Sequence, residues 1–352
     1  MNNAQNSLVL PPIFTVMPRP KKETHTVPFV PEAMATDVVG YTRYFIKNAP
    51  YRKTQKGRLG LRPTTLSNYR NFLLHFEAFQ NEMGTDHILF SQLNKALVGH
   101  FTKWLLEVRQ FSENHSGRLL GSLKTLALDA KKNEIAVHVY VQHVRGFAQQ
   151  QQQRILTILT FEDLRKIEAT PLTQKHLINA QRWIILGFWL GQRVSDLLVL
   201  TPSQLRDAPN GGLYVDIVQQ KTDKRVTIGV IDPSALTILR HHFPYKLYPS
   251  RFNQYLKLVL KAAGLDQMVK GYKFNPQTQR KELGLFPKYS VISSHDLRRS
   301  FATNFFGKIP TPVLMEMTGH AREATFMSYI GRDPLRDAFA DRFMEGVLRL
   351  QS

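Results

Sequence analysis

From Asp37 onward, apolar residues recur three and four positions apart, the spacing that gathers them on one side of an α-helix. Asp37 offers a cap for a helix carrying Val38, Tyr41, Phe45 and Ile46. A longer helix follows Pro63, with Leu66, Tyr69, Phe72, Leu73, Phe76 and Phe79 in register and Gly84 closing it. Ser91 is expected to open a third, with Leu97, Phe101, Trp104, Leu105 and Val108 on one stripe. Ser112 opens a fourth through Leu119, Leu120, Leu123 and Leu126. Residues 37–147 therefore read as an all-helical domain of four main helices.

The periodicity lapses on either side of this block. Residues 1–36 hold six prolines and little pattern, so they read as a flexible arm. The glutamine-rich stretch from Ala148 to Arg154 is polar and of low complexity, which makes 148–159 a linker. Thr160, with Asp163 three residues on, starts a second domain over 160–352 through a capping box. Trp183 to Leu190 is apolar on every side, as in a buried central helix that Gly191 can end. Leu213, Val215 and Ile217 alternate, then Val226, Ile228 and Val230, which predicts an antiparallel hairpin with Lys221 beside its tip. After Asp333-Pro334, the residues Leu335, Phe339, Phe343 and Val347 form one stripe of a C-terminal tail helix. The expected fold is mainly α with a small antiparallel β-hairpin.

Charge changes this picture most. The 352 residues carry a net charge of +20, with 19 basic against 10 acidic residues up to position 150 and 28 against 17 beyond it. An excess shared by both halves suits a polyanion gripped from two sides. Between Asp37 and Glu77 there is no acidic residue, yet eight basic ones occur: Arg43, Lys47, Arg52, Lys53, Lys56, Arg58, Arg62 and Arg70. Residues 251–300 hold ten basic and three acidic residues. These are the candidate contacts to a phosphate backbone, and they carry no information about base sequence. With no cysteine there is no disulfide framework, thiolate metal site or thiol nucleophile. No apolar run reaches membrane-spanning length, and the first residues lack a signal-peptide pattern, so a cytoplasmic protein with no membrane partner is expected.

Within the second domain six residues stand out in order: Arg193, Lys221, His295, Arg298, His320 and Tyr329. Arg193 follows the buried helix, and Asp196 three residues on is placed to orient it. Lys221 competes with Lys224 near the hairpin tip. His295 and Arg298, three apart, share a helix face. Thr311-Pro312 starts a helix that Gly319 ends, fixing His320 just after it, and Tyr329 is expected on the next helix before Gly331. Two arginines, a lysine and two histidines can neutralise and protonate a phosphodiester, and a tyrosine can attack it. The sequence has no His-Glu-x-x-His or carboxylate cluster to hold a metal, and no cofactor is expected.

The order and spacing of these six resemble the tyrosine recombinase, or phage integrase, family: Arg, a hairpin Lys, His-x-x-Arg, Gly-His, then Tyr about nine residues on. The likeness spans roughly residues 40–340, since the four-helix segment resembles the family's SAM-like core-binding domain. The wording Arg193-Val194-Ser195-Asp196-Leu197 and Ser294-His295-Asp296-Leu297-Arg298-Arg299 looks like integrases of Bacteroidetes mobile elements. The short N-terminal segment departs from relatives that carry a folded arm-site domain.

The resemblance implies site-specific recombination of double-stranded DNA. Tyr329 would form a 3′-phosphotyrosine, Arg193, Arg298 and His320 would stabilise the phosphate oxygens, His295 would move a proton and Lys221 would protonate the leaving oxygen. It implies a homo-oligomer too, tetrameric on DNA and a monomer or dimer when free, with accessory DNA-bending proteins as further partners. The tail helix would dock on a neighbouring protomer, or pack on its own domain. A type IB topoisomerase, a hairpin telomere resolvase and a catalytically inactive DNA-binding relative stay open as alternatives.

Overall fold

The computed structural model describes residues 35–54, 57–148, 155–278 and 280–330, with the pairs 343–344 and 347–348. The chain divides into two compact units, Met1–Gln149 and Gln150–Ser352. The expected N-terminal arm, the glutamine-rich part of the linker, Lys56 and nearly all of the tail helix lie outside the described residues.

The first unit is built on α1 (Val38–Lys47), α2 (Pro63–Glu82), α3 (Lys95–Lys103) and α4 (Glu113–Lys132). Asp37 caps α1 by accepting from the Gly40 amide at 2.8 Å. Phe76 of α2 meets Phe101 edge to face at 5.1 Å, Phe79 meets both Phe101 and Trp104, and Phe72 packs against Phe76. The third helix does not open at Ser91. Residues Phe90–Gln92 form a single 3-10 turn, and Asn94 caps α3 by accepting from Leu97 N at 2.9 Å. The helix then loosens into a π-turn over Trp104–Val108, which rotates the predicted stripe: Trp104 and Leu105 are buried while Val108 is exposed.

The second unit is mixed. At the end of the linker, Leu159 docks on the last long helix through Ser300 Oγ and Asn304 Nδ2. Then come α5 (Phe161–Ala169), α6 (Lys175–Leu190), α7 (Val194–Leu197), β1 (Leu205–Asp207), β2 (Leu213–Val218), β3 (Arg225–Val230), α8 (Pro233–His241) and α9 (Pro249–Ala262). They are followed by β4 (Met268–Asn275), β5 (Arg280–Pro287), α10 (Lys288–Val291), α11 (Ser294–Phe305), α12 (Thr311–Thr318) and α13 (Glu323–Met327). Thr160 and Asp163 form the expected capping box, and Asp163 Oδ2 also takes Lys288 Nζ at 2.5 Å in a buried ion pair. Burial would raise the Asp163 pKa, but the bonds from Lys288 and Thr160 prevail and lower it.

Helix α6 exposes its first turn but is buried on nearly every side from Trp183 to Leu190, and it forms the axis of the unit. Gly191 ends it at φ 62°, where a Cβ would sit 2.5 Å from the Phe301 ring of α11. The predicted hairpin is β2–β3, antiparallel with Val215 opposite Ile228 and Ile217 opposite Val226, and short β1 extends it on the far side of β2. A second antiparallel ribbon, β4–β5, was not legible from alternation. Its outward positions Met268, Tyr272, Leu283 and Leu285 are apolar yet exposed, so no inside–outside contrast marks it.

Candidate active site

Arg298 is the centre of the site. It projects from α11 with no exposed surface, and the carbonyls at two helix ends receive it: Nη1 donates to Gly191 O at 3.1 Å and Nη2 to Thr318 O at 2.6 Å. A cation is favoured at the negative end of a helix dipole. Burial, then the neighbouring charge of Arg193, push its pKa down to about 10, so it remains cationic at neutral pH.

His320 stacks beside it, fixed by Gly319 at φ 69° as the turn after α12. Its Nδ1 lies 2.8 Å from Thr318 Oγ1, and Arg298 Nη2 reaches its Nε2 at 3.1 Å. The Thr318 hydroxyl donates its one proton to Leu314 O at 2.6 Å. It therefore accepts from Nδ1–H, and Nε2 accepts from the guanidinium. Burial first, then the charges of Arg298 and Arg193, lower the His320 pKa to about 3. The ring is neutral, and in this arrangement Nε2 accepts a hydrogen bond where the sequence had suggested it would donate one.

Tyr329 closes over this pair. Its ring centroid lies 4.8 Å from His320 and 5.3 Å from His295, with the Arg298 guanidinium carbon 5.6 Å away. Tyr329 was expected on a helix, and the structure places it beyond one. Helix α13 ends at Met327, and Tyr329 occupies the turn beyond, its amide donating to Phe326 O at 2.9 Å. Buried Phe326 and Ile330 anchor that turn on either side; Gly331 lies outside the described residues. His295 keeps an exposed edge, and partial burial followed by the Arg299 charge lowers its pKa.

Arg193 is held by Gln219, which motif reading did not single out, with Asp196 close by. Its Nη1 donates to Gln219 Oε1 at 2.8 Å and stands 3.9 Å from Asp196 Oδ2. Gln219, wholly buried at the end of β2, donates to Gln192 Oε1 and to Thr318 O, both at 2.9 Å. Gln192 donates to Leu190 O and Met317 O at 2.9 and 2.8 Å. Two glutamines thus lock the hairpin, the end of α6 and the end of α12 together. Asp196 Oδ1 accepts from the Gln220 amide at 3.0 Å, bracing the hairpin turn.

The structure gathers Arg193, His295, Arg298, His320 and Tyr329, with Asp196 behind Arg193. Lys221 is exposed at the hairpin turn, while Lys224 pairs with Glu316 at 2.7 Å and its charge is felt at His320. In the first unit, Arg43 pairs with Glu77 at 2.6 Å. Arg52 is bonded to Asp129 and lies 3.9 Å over the Phe45 ring, a structural position. Lys47, Lys53, Arg58 and Arg70 are exposed, and Arg62 is half-buried at the start of α2.

The phage integrase SAM-like domain profile matches residues 42–148, and the phage integrase family profile matches residues 157–336. The chain belongs to the phage integrase family. No curated protein matches it. Among solved structures it is similar to a lambda integrase dimer bound to a COC′ core site, with 16% identity, a TM-score of 0.58 and coverage of 85% of this chain and 78% of that one. The XerH site-specific recombinase bound to palindromic difH in a post-cleavage complex gives 16%, 0.55, 83% and 80%. The Tn1549 transposon integrase in complex with transposon right end DNA gives 12%, 0.57, 90% and 100%. Likeness at these identities establishes the fold. Membership in the tyrosine recombinases makes the chain a DNA-cutting and rejoining enzyme. Among the described residues, no helix is long and apolar enough to cross a membrane.

Proposed function

We propose that this chain recombines specific DNA sites through a 3′-phosphotyrosine on Tyr329. The observation that carries the reading is the packing of the Tyr329 ring against His295 and His320, over the Arg298 guanidinium. The Tyr329 hydroxyl oxygen attacks the phosphorus and its proton passes to His295, which is neutral and so able to accept it. The bond from phosphorus to the 5′ oxygen breaks, and a hairpin lysine, Lys221 or else Lys224, supplies the proton that makes a 5′-hydroxyl. A 5′-hydroxyl from the partner duplex then reverses the step and frees the tyrosine. Arg193 and Arg298 meet the charge on the non-bridging oxygens. Each such donor is worth roughly 10²–10³ in rate at comparable sites. An arriving phosphate draws on the same Arg298 donor that His320 Nε2 now accepts from, and its negative charge favours the protonated, donating imidazole.

In the same reading, residues 37–147 and 160–352 are two DNA-binding lobes joined by 148–159, and the basic residues of the first lobe grip the backbone. The active form is a homotetramer on two duplexes, assisted by DNA-bending proteins, in the cytoplasm. The chain serves a mobile element, of the kind carried by Bacteroidetes. Incubation with two plasmids bearing the element ends should give joined recombinants. Relaxation of supercoiled plasmid lacking those ends, without recombinants, would favour a topoisomerase, and absence of both would favour a DNA-binding relative.

A further inference from the structure

The face of α11 that bears His295 and Arg298 bears a third basic side chain, Arg299, four residues beyond the histidine. Its guanidinium carbon lies 6.0 Å from the Tyr329 ring centroid, on the same ring that Arg298 approaches. It is held there rather than free. Arg299 Nη1 donates to Asp296 Oδ1 at 3.0 Å, while Asp296 Oδ2 accepts from Ser293 N and Oγ at 2.9 and 2.7 Å. The side chain is only 22% exposed, and its buried Nε has no hydrogen-bond partner among the described residues. A surface ion pair would leave the guanidinium in water; this one is braced beneath the nucleophile with a donor to spare.

We propose that Arg299 is a positioning residue for Tyr329, holding the ring by cation–π attraction and stabilising the phenolate as it forms. The inference rests on Tyr329 being the nucleophile. A second effect has the same origin. Arg299 is the largest charge acting on His295 and lowers its pKa, which keeps the imidazole free to take the phenolic proton. The other groups facing His295 are Asp296 and Arg298 on α11, Arg193 at the start of α7, His320 after α12 and Tyr329 after α13. Those facing Tyr329 are His295, Arg298, Arg299 and His320.

Removing this cation should raise the pKa of His295, since it takes away the charge that lowers it most. Neutral His295 then needs a higher pH, so the ascending limb of the pH–rate profile moves up. The test is the rate of covalent adduct formation against pH on a nicked duplex, selected from a randomised pool by covalent capture on the wild-type protein. Arg299→Ala should be about tenfold slower at neutral pH, with the ascending limb of its profile displaced upward. Arg299→Lys should restore the profile. Arg299→Gln, which keeps an amide to donate to Asp296, carries the same expectation should Arg299→Ala fail to fold. A neutral variant with an unmoved profile overturns the proposal, whether or not DNA affinity or rate falls, because a structural or phosphate-gripping role would change those alone. If wild-type protein captures no duplex at all, the nucleophile assignment falls as well.

Discussion

Gln219 is the residue whose removal most directly tests how the site is held together. Gln219→Ala deletes four hydrogen bonds at once: those to Gln192 and Thr318, and those received from Arg193 and, at 3.0 Å, from Thr222. The losses are unequal. Thr318 O keeps Arg298 Nη2, Arg193 keeps Asp196 nearby, and half-buried Thr222 can turn to water. Gln192 Oε1 is left buried, its residue only 1% exposed, which costs about 1–3 kcal/mol. With lost packing against Gly319, the total should be about 2–4 kcal/mol. For a unit of this size that lowers the melting temperature by roughly 5–15 °C. Fluorescence melting in a Trp104→Phe background reads the second unit alone, through Trp183 and Trp189. Arg193 also loses its neighbour on the hairpin, and in the proposed role a shift near 1 Å would cost about 10²-fold in rate. Cleavage at saturating DNA should fall by that order. A melting change under about 0.5 kcal/mol with unaltered cleavage would refute the network as the support of Arg193.

Lys221→Ala should be slow on ordinary DNA and largely rescued by a 5′-bridging phosphorothiolate, whose thiolate leaves without a proton; rescue of Lys224→Ala instead would move the acid to the lysine now paired with Glu316. Lys288→Ala should cost about 3–5 kcal/mol in denaturant unfolding, because it leaves Asp163 charged and buried. His320, its folded pKa near 3 and below the unfolded value, stabilises the fold fully above pH about 6.5 and progressively less as pH falls toward 3; His320→Gln should flatten that slope by up to about 1.4 kcal/mol per pH unit. If Arg193 and Arg298 meet the phosphate charge, cleavage should persist in excess EDTA; loss in EDTA restored by magnesium would contradict this.

Some of this molecule was legible in its sequence, and the pattern of success is physical. Helices α1, α2 and α4 have capping side chains or a starting proline and buried stripes that repeat without interruption. In α3, Asn94 three residues after Ser91 captured the start, and a π-turn displaced the stripe, so local pattern misled. The residues gathered at the candidate site, Arg193, His295, Arg298, His320 and Tyr329, were marked by order and spacing. Their supports were not. Gln192 and Gln219 lie 27 residues apart, and neither type announces a role until folding buries it. Arg299 adjoins Arg298 in sequence, yet only the turn after α13 brings Tyr329 over it. The Tyr329 turn itself escaped because buried Phe326 and Ile330, not helix periodicity, determine where the tyrosine points.

The central claim is that Tyr329 is the residue joined to DNA. Protein trapped on nicked target duplex under denaturing conditions, digested and analysed by mass spectrometry, identifies the modified side chain. A phosphonucleotide on the peptide containing Tyr329, absent from Tyr329→Phe protein that still binds the duplex, is the expected result. An adduct on another residue, with Tyr289 the next tyrosine to examine, or an adduct persisting in Tyr329→Phe, would contradict the account.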